Sequence, residues 1–342
     1  MKLKAIDLFA GCGGLTAGLK RAGFNVIGAV EIDHKARLTY SHNHGEVPLI
    51  SADIRDAQPE KILKDCSIAR GELDLLAGCP PCQGFSTLRA RQGHPASEDI
   101  RNDLIDEFAR LSLALLPKLI MMENVPALAR FDKFKNFVSM LEDAGYNVVF
   151  KTLNVRDFGV PQRRKRLILS ANRTGIAKLA APLKHDVTVR SAIGNLKTAG
   201  SSGDLLHDMP SPRRSARIQS LIKAIPKDGG SRNSLPPELQ LACHKRTTGF
   251  NDVYGRMKWD DVSPTITGGC TNPSKGRFIH PYEDRPITLR EAAILQGFDE
   301  NYKFDIQHGK ESIALMIGNA LPPPFIEAHA HAMAEGLVHE KN

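Results

Sequence analysis

Cysteine and long apolar runs are both scarce in this chain. Six cysteines are scattered over 342 residues, so no disulfide framework is indicated and a reducing compartment is expected. No apolar run approaches the roughly 18 residues that a membrane-spanning helix requires. The amino terminus has neither the apolar region nor the cleavage site of a signal peptide. From these absences we expect a cytoplasmic protein that makes no membrane contact.

Basic residues are concentrated in the middle of the chain. The formal net charge is +8, and residues 184–258 hold 13 lysines and arginines against 6 acidic residues. Nearly the whole excess therefore falls in one segment, which favours a polyanionic partner such as nucleic acid. The length is typical of one large domain with a smaller one beside it.

The chain is organised around residues 73–86. Residues 73–77 form a short apolar run, typical of a buried strand in a parallel sheet. Glycine and proline at 78–81 end that strand, and Cys82 follows at once. Open α/β sheets place ligands and chemistry at the carboxyl ends of their strands. Cys82 is therefore a candidate reactive thiol, with a buried structural cysteine as the alternative.

Glycines and acids follow the first three predicted strands. A strand over 4–9 leads into a glycine-rich turn at 10–14 and then a helix, although the glycine spacing departs from the dinucleotide fingerprint. A second strand over 25–30 ends at Glu31, and a third unit ends at Asp53. An acid closing the second strand can accept from both hydroxyls of a ribose. The series predicts a cofactor cleft, whereas Glu31 alone could be a surface charge.

A second acid and a run of arginines are further candidate site residues, and they lie near the ends of other predicted strands. Glu123 ends an apolar strand, where a carboxylate is costly unless it has a partner or a task; a structural salt bridge is the alternative. Gln162 is followed by four basic residues at 163–166, which precede the apolar run 167–170. Alternate strand residues share a face, so we expect Gln162, Arg164 and Arg166 to point together toward an acceptor.

The character of the chain changes between residues 174 and 284. Proline, glycine, serine and arginine dominate there, which predicts a separate small domain with many loops and, over 263–269, a strand and turn. Helical patterns return at 289–296 and 325–337. His329 and His331 are two residues apart and do not share a helix face, so no metal site is expected.

In this order the motifs resemble the DNA (cytosine-5) methyltransferases, most of all the compact bacterial enzymes. The matching segments are 9–14, 80–86, 123–125, 162–166, 290–298 and 318–319, together with Glu31 and Asp53. The resemblance implies an α/β fold: a Rossmann-like S-adenosylmethionine-dependent methyltransferase sheet with helices on both faces, plus a smaller loop-rich DNA target-recognition domain. It assigns residues 1–173 and 285–342 to the catalytic domain and 174–284 to target recognition.

The resemblance also implies S-adenosyl-L-methionine as the cofactor, without a metal. Glu31 would hold the ribose hydroxyls, and Asp53 would accept from the adenine amino group. The remaining cofactor-binding residues it implies are Phe9, Gly11, Gly13, Ile32, Ile54, Pro81, Leu104 and Asn319.

The implied chemistry explains the catalytic residue types. Carbon 5 of cytosine is a poor nucleophile until the Cys82 thiolate adds to carbon 6. Glu123 would neutralise ring nitrogen N3. Arg166, supported by Arg164, would bond ring O2 and the Glu123 region, and an arginine nearby would favour the thiolate.

The implied partner is double-stranded DNA, bound by a monomer. The target base must leave the helix, and the polar loop after Ser86 could close over it. The implied DNA contacts are Gln83, Ser86, Gln162 and Thr265. The resemblance leaves room for a cognate restriction endonuclease that cuts the same site, and for association with the bacterial nucleoid.

Three alternatives stay open at the level of sequence. A tRNA cytosine-5 methyltransferase would share the catalytic residues, although the long basic segment argues against it. Cys79 and Cys82 form a Cys-x-x-Cys pair that a redox protein would use; because no second pair exists, zinc is not expected. A DNA-binding protein with a silent catalytic core is the third.

Overall fold

The computed structural model describes residues 2–81, 103–241 and 252–337. The strands are β1 (Lys4–Leu8), β2 (Asn25–Val30), β3 (Leu49–Ser51), β4 (Leu75–Gly78), β5 (Leu119–Asn124), β6 (Asn147–Asn154) and β7 (Lys165–Asn172). The helices are α1 (Gly14–Arg21), α2 (His34–Asn43), α3 (Pro59–Asp65), α4 (Leu104–Leu115), α5 (Asp132–Asp143), α6 (Val189–Ile193), α7 (Leu205–Asp208), α8 (Ala216–Ala224), α9 (Leu289–Leu295), α10 (Lys310–Asn319) and α11 (Pro323–Ala334). None of the helices within these ranges is long and apolar enough to cross a membrane.

The strands in the described ranges form one seven-stranded sheet in the order β3-β2-β1-β4-β5-β7-β6. The first five are parallel, and β7 runs antiparallel to both β5 and β6. The chain moves outward in one direction from β1 to β3 and in the other from β4 to β5. Beyond the carboxyl ends of β1 and β4 lies the crevice where such sheets bind ligands.

Helices cover both faces of this sheet. Ile6 and Leu8 of β1 lie in the main apolar core with residues of α3, α4 and α5. Asp7 points to the opposite face, where its carboxylate accepts a hydrogen bond from Thr16 of α1. The hydroxyl of Thr16 also meets that of Tyr40 of α2, at 2.9 Å. The alternation of side chains along β1 thus decides which helices it contacts, and the predicted α/β fold class is confirmed.

The chain divides into two compact units. The first comprises residues 1–158, 165–183 and 321–342 and contains the sheet. The second comprises residues 159–164 and 184–320. Residues 285–320 thus fall in the second unit, whereas the sequence assigned them to the catalytic domain. The division by function stays a prediction, because compactness does not test it.

The described residues of the second unit contain none of the seven strands, and several arginines are buried there. Arg256 is fully buried and donates to the carbonyls of Ile222, Ile225 and His280. Of the strand and turn predicted over 263–269, the turn is present at 268–270, but the strand is wrong, because Ser263 makes only a single bridge to Gln162. Pro264 lacks an N–H and cannot extend a ladder.

Candidate active site

The turn after β1 has the backbone of a ligand-binding loop. Phe9, Gly11 and Gly13 all have positive φ, at 63°, 56° and 97°. Glycine adopts this region at no steric cost, but Phe9 is strained there, as residues at functional sites often are. Among the described residues, apart from Gly11 itself and its two chain neighbours, no atom lies within 4 Å of the position that a Cβ on Gly11 would occupy.

Glu31 joins this turn to the end of β2. One carboxylate oxygen accepts from the Gly11 N–H and the other from the Asp33 N–H, each at 2.7 Å. Burial raises the pKa of the Glu31 carboxyl, and the two N–H groups oppose that effect. Each oxygen keeps a lone pair, so the carboxylate can accept two more hydrogen bonds. Beside it, the side chain of Ile32 is 63% exposed.

Asp53 has a partner from its own turn. The Arg55 guanidinium pairs with both carboxylate oxygens and holds the pKa of Asp53 below its usual range. Ile54 is buried in the main apolar core, and the half-buried Leu104 packs against that core. Their predicted contacts with a cofactor stay predictions.

The side chain of His44 stabilises the turn after β1. Its Nδ1 lies 3.0 Å from Lys20 Nζ, and its Nε2 lies 3.2 Å from the Gly13 carbonyl oxygen. Burial, followed by the Lys20 charge, lowers the pKa of His44 to about 4. The ring is therefore neutral near pH 7. Because an ammonium group only donates, Nδ1 must accept, and Nε2–H donates to the Gly13 carbonyl.

Glu123 ends β5 and is 2% exposed. Arg166 Nε, at the start of β7, lies 2.7 Å from its Oε1. The alignment is not that of a hydrogen bond, so Oε1 is charge-paired but accepts none from the described residues. The Cys79 thiol donates to Oε2 at 2.9 Å. The predicted pairing of Arg166 with the Glu123 region is present in the structure.

The residues before Cys82 are tied to the same strand end. Gly78 of β4 pairs with Met122 of β5, and Asn124 Nδ2 donates to the Pro80 carbonyl at 2.8 Å. Pro81 is half-buried and is the last described residue before a gap. Cys82, Gln83, Ser86 and the polar loop after them lie outside the described residues.

Arg164 and Gln162 precede β7. Both belong to the second unit. Arg164 donates to the carbonyls of Ile266 and Gly318, each at 2.9 Å. Gln162 is fully buried; its amide donates to Gln296 and accepts from the Ile266 N–H. The prediction that these two residues belong to one strand with Arg166 is wrong, because β7 begins only at Lys165. Gln162 and Arg164 instead both contact Ile266.

Two further predicted residues also lie in the second unit. The Thr265 hydroxyl donates to the Arg163 carbonyl at 2.7 Å. Asn319 is exposed at the end of α10. Gly318 before it has no room for a side chain, since a Cβ would lie 2.4 Å from the Gly268 nitrogen. The DNA and cofactor contacts expected of Thr265 and Asn319 stay predictions.

Comparison with known proteins identifies the family. The family model described as C-5 cytosine-specific DNA methylase matches residues 3–335. This chain belongs to that family.

The matches to curated relatives cover nearly the whole length of this methyltransferase. The type II methylase M.HgiDII of Herpetosiphon aurantiacus is 37% identical, over 93% of this chain and 91% of its own. The type II methyltransferase M1.HphI of Haemophilus parahaemolyticus is 31% identical, over 97% and 87%. The predicted resemblance is confirmed, and the chain is an enzyme of the DNA (cytosine-5-)-methyltransferase class.

Solved structures of similar fold include two methyltransferases. A crystal structure described as a DNA modification methyltransferase encoded within an Escherichia coli prophage has a TM-score of 0.69 and 25% identity, and covers 98% of this chain and 99% of its own. The Dnmt2 methyltransferase of S. pombe has a TM-score of 0.60 over 96% of each chain. At 18% identity this second likeness concerns the fold alone.

The sequence did not predict two contacts that the structure contains. His44 acts on Gly13 across 31 residues of sequence, and Cys79 acts on Glu123 across 44. No periodicity or motif marks His44. Cys79 drew notice only as half of a formal Cys-x-x-Cys pair, and its proximity to Glu123 follows from the pairing of β4 with β5.

Proposed function

We propose that this methyltransferase transfers a methyl group from S-adenosyl-L-methionine to carbon 5 of a flipped cytosine in duplex DNA, through a covalent bond to Cys82. The observation that carries the proposal is the buried Glu123 at the end of β5. It is paired with Arg166 and joined by Cys79 to the turn that leads into Cys82. A buried carboxylate is costly unless it is paired or has a chemical task.

The residues at the end of β1 and β2 fit the proposed cofactor. Glu31 has spare lone pairs for the two ribose hydroxyls, the exposed Ile32 offers an apolar surface for adenine, and Gly11 leaves backbone accessible. Asp53 could accept from the adenine amino group only by sharing its carboxylate with Arg55. When bound, S-adenosyl-L-methionine supplies an electrophilic methyl group on a sulfonium.

The chain's own residues then activate the base. The Cys82 thiolate adds to carbon 6, and Glu123 gives N3 a proton or shares one with it, so that electrons move to carbon 5. Arg166 bonds ring O2 while it holds Glu123. The cofactor, when bound, would supply its methyl group to carbon 5 and leave as S-adenosylhomocysteine. Carbon 5 would then lose its proton to water, N3 would return its proton to Glu123, and Cys82 would leave as the thiolate, which restores the 5,6 double bond. Arg164, committed to Ile266 and Gly318, would act by holding the backbone before Asn319.

Residues 174–284 would carry target recognition on DNA. Their basic side chains would bind mainly phosphate, and a few would read base edges in the major groove. Thr265 would contact phosphate, and the buried Gln162 would act by shaping the backbone at Ile266. Gln83 and Ser86 would contact the flipped base or its neighbours.

The type II names of the relatives support a restriction–modification role. In that role the methyltransferase would act as a cytoplasmic monomer and protect sites that a cognate endonuclease cuts.

Transfer of a labelled methyl group tests the proposal. The purified chain with labelled S-adenosyl-L-methionine should label duplex DNA and leave tRNA unlabelled. Cys82→Ala should abolish labelling while calorimetry still detects cofactor binding. Label in tRNA alone, or turnover by Cys82→Ala above background, would overturn the proposal.

A further inference from the structure

Cys79 is placed to act on Glu123 although it is not the proposed nucleophile. It lies one residue beyond β4 and is half-buried. Its thiol donates to Glu123 Oε2 at 2.9 Å. Glu123 lies on β5, which pairs with β4. A redox pair with Cys82 would give this thiol another task, and Cys82 lies outside the described residues; within them, the thiol contacts a buried carboxylate.

We propose that Cys79 is a positioning residue that fixes the orientation of the Glu123 carboxyl group for its work on the cytosine ring. This inference rests on the role proposed above for Glu123. It gives the first cysteine of the Cys-Pro-Pro-Cys stretch a function that requires no change of oxidation state.

The geometry explains why Glu123 needs such a residue. The last torsion of a glutamate is broad, so one contact does not fix the plane of its carboxyl group. Arg166 approaches Oε1 at 2.7 Å without the alignment of a hydrogen bond. Among the described residues, the thiol of Cys79 therefore supplies the directional contact. It leaves Oε1 with no aligned donor, and that is the oxygen from which a proton can be shared with N3.

A second bond across the same strands places Cys79. Asn124 holds the Pro80 carbonyl at 2.8 Å, one residue along from each partner of the Cys79–Glu123 bond. The two bonds together hold the turn that leads to Cys82 against the end of β5. Loss of the thiol should therefore disturb Glu123 while Asn124 still holds the turn.

Cys79→Ala and Cys79→Ser separate positioning from packing. We expect Cys79→Ala to lower kcat about tenfold, the scale of one hydrogen bond to a charged group. The KM for DNA and the calorimetric Kd for the cofactor should change less than about twofold. Serine keeps a donor and should restore kcat to within about threefold of the wild type. Release of tritium from [5-³H]cytosine DNA without the cofactor, which reports addition of the thiolate, should follow the same order.

Two controls make the result specific. Cys66 is also half-buried and donates to the Ile27 carbonyl on β2; Cys66→Ala should leave kcat unchanged. In a Glu123→Gln background, Cys79→Ala should cause no further loss of tritium release, because the group that it positions has already been changed.

The outcomes distinguish the two proposals. If the wild type does not methylate cytosine in DNA, the proposed function fails and this inference fails with it. If the wild type is active and Cys79→Ala retains full kcat, the inference alone is overturned. A Cys79→Ser enzyme as slow as Cys79→Ala, or an undiminished effect in the Glu123→Gln background, would also overturn it.

Discussion

Asp7 and Glu123 show how partners decide the state of a buried carboxylate. Glu123 has an arginine and a thiol beside it. Asp7 is also fully buried, but Thr16 donates only to its Oδ2, and Oδ1 accepts no hydrogen bond from the described residues. Burial raises the pKa of Asp7 to about 7, and the nearby Glu31 charge adds to the effect. Asp7 is therefore protonated in the folded state at pH values where it is ionised in the unfolded chain.

Asp7→Asn should change how stability depends on pH. A raised pKa favours the neutral form, so this group's contribution is complete below the unfolded pKa near 4 and is lost as pH rises through about 7. Asparagine does not titrate. The free energy of unfolding of Asp7→Asn relative to the wild type should therefore increase by about 2 kcal/mol from pH 5 to pH 8. Urea unfolding at both values measures it, and a pH-independent difference would contradict the assignment.

His44 offers a test of the turn after β1. Without the ring, the Gly13 carbonyl keeps only the hydrogen bond from the Ala17 N–H, and the turn loses a restraint on its cofactor-binding conformation. We expect His44→Ala to weaken cofactor binding about tenfold in calorimetry. His42, two residues earlier and exposed, provides the matched control His42→Ala. Equal Kd values for the two variants would show that His44 does not support the site.

Among single residues, the sequence predicted those whose role follows from a local pattern. It missed the residues whose role depends on partners distant in sequence. An acid at the end of an apolar strand predicted Glu123, and the family resemblance predicted Arg166 as a partner for its region. The pattern could not show where β7 begins, and so it wrongly included Arg164 and Gln162 in the strand. The bridge from Gln162 to Ser263 joins segments about a hundred residues apart, which no local period encodes.

Among the elements, α1 and α11 depend on small residues where they meet. A Cβ on Gly18 would lie 2.6 Å from both the Pro323 carbonyl oxygen and the Ile326 Cβ. A Cβ on Gly14, one turn earlier, would lie 2.4 Å from the Leu321 carbonyl oxygen. These glycines let the two helices pack closely, so they do more than begin the helix after the cofactor turn.

Gly18→Ala should destabilise the protein although it improves helix propensity. Propensity alone would stabilise the helix by about 1 kcal/mol. Overpacking against α11 costs about 1–3 kcal/mol, and backbone at Pro323 cannot move as a flexible side chain can. We expect the free energy of unfolding to fall by about 1 kcal/mol in urea. A more stable variant would contradict the close packing.

Strands and helices were the part of the fold that the sequence predicted best. The strand over 25–30 has the predicted limits, and the ends of the strands predicted over 4–9 and 73–77 differ from those observed by at most two residues. Buried parallel strands and amphipathic helices have strong periods. The strand predicted over 263–269 failed because β-branched residues beside a turn resemble a strand while Pro264 prevents one.

For the whole molecule, the sequence predicted the sheet and the family, but the compact units have other limits than the predicted domains. Residues 159–164 and 285–320 lie in the second unit. Contacts within the second unit explain this. Gln162 bonds Gln296, Arg164 bonds Ile266, and Gly318 packs against Gly268. Compact units follow such packing, whereas the predicted domains follow motifs.

Exchange of residues 185–280 tests the recognition domain. Replacing this segment with that of another enzyme of the family should change the DNA sequence that is methylated. The Kd for the cofactor should stay within about threefold, because Glu31 and the turn after β1 are untouched. Bisulfite sequencing of DNA from expressing cells reads the target. An active hybrid that methylates the original sequence would contradict the proposed role.

The most direct test of the central claim is to trap the bond between Cys82 and cytosine. Duplex DNA in which 5-fluorocytosine replaces the target cytosine cannot lose its substituent at carbon 5, so the covalent intermediate should accumulate. With S-adenosyl-L-methionine present, the wild type should form an adduct that survives denaturation, and peptide mass spectrometry should locate it at Cys82. Cys82→Ala should form none. An active wild type that gives no adduct, or an adduct at another residue, would contradict the mechanism.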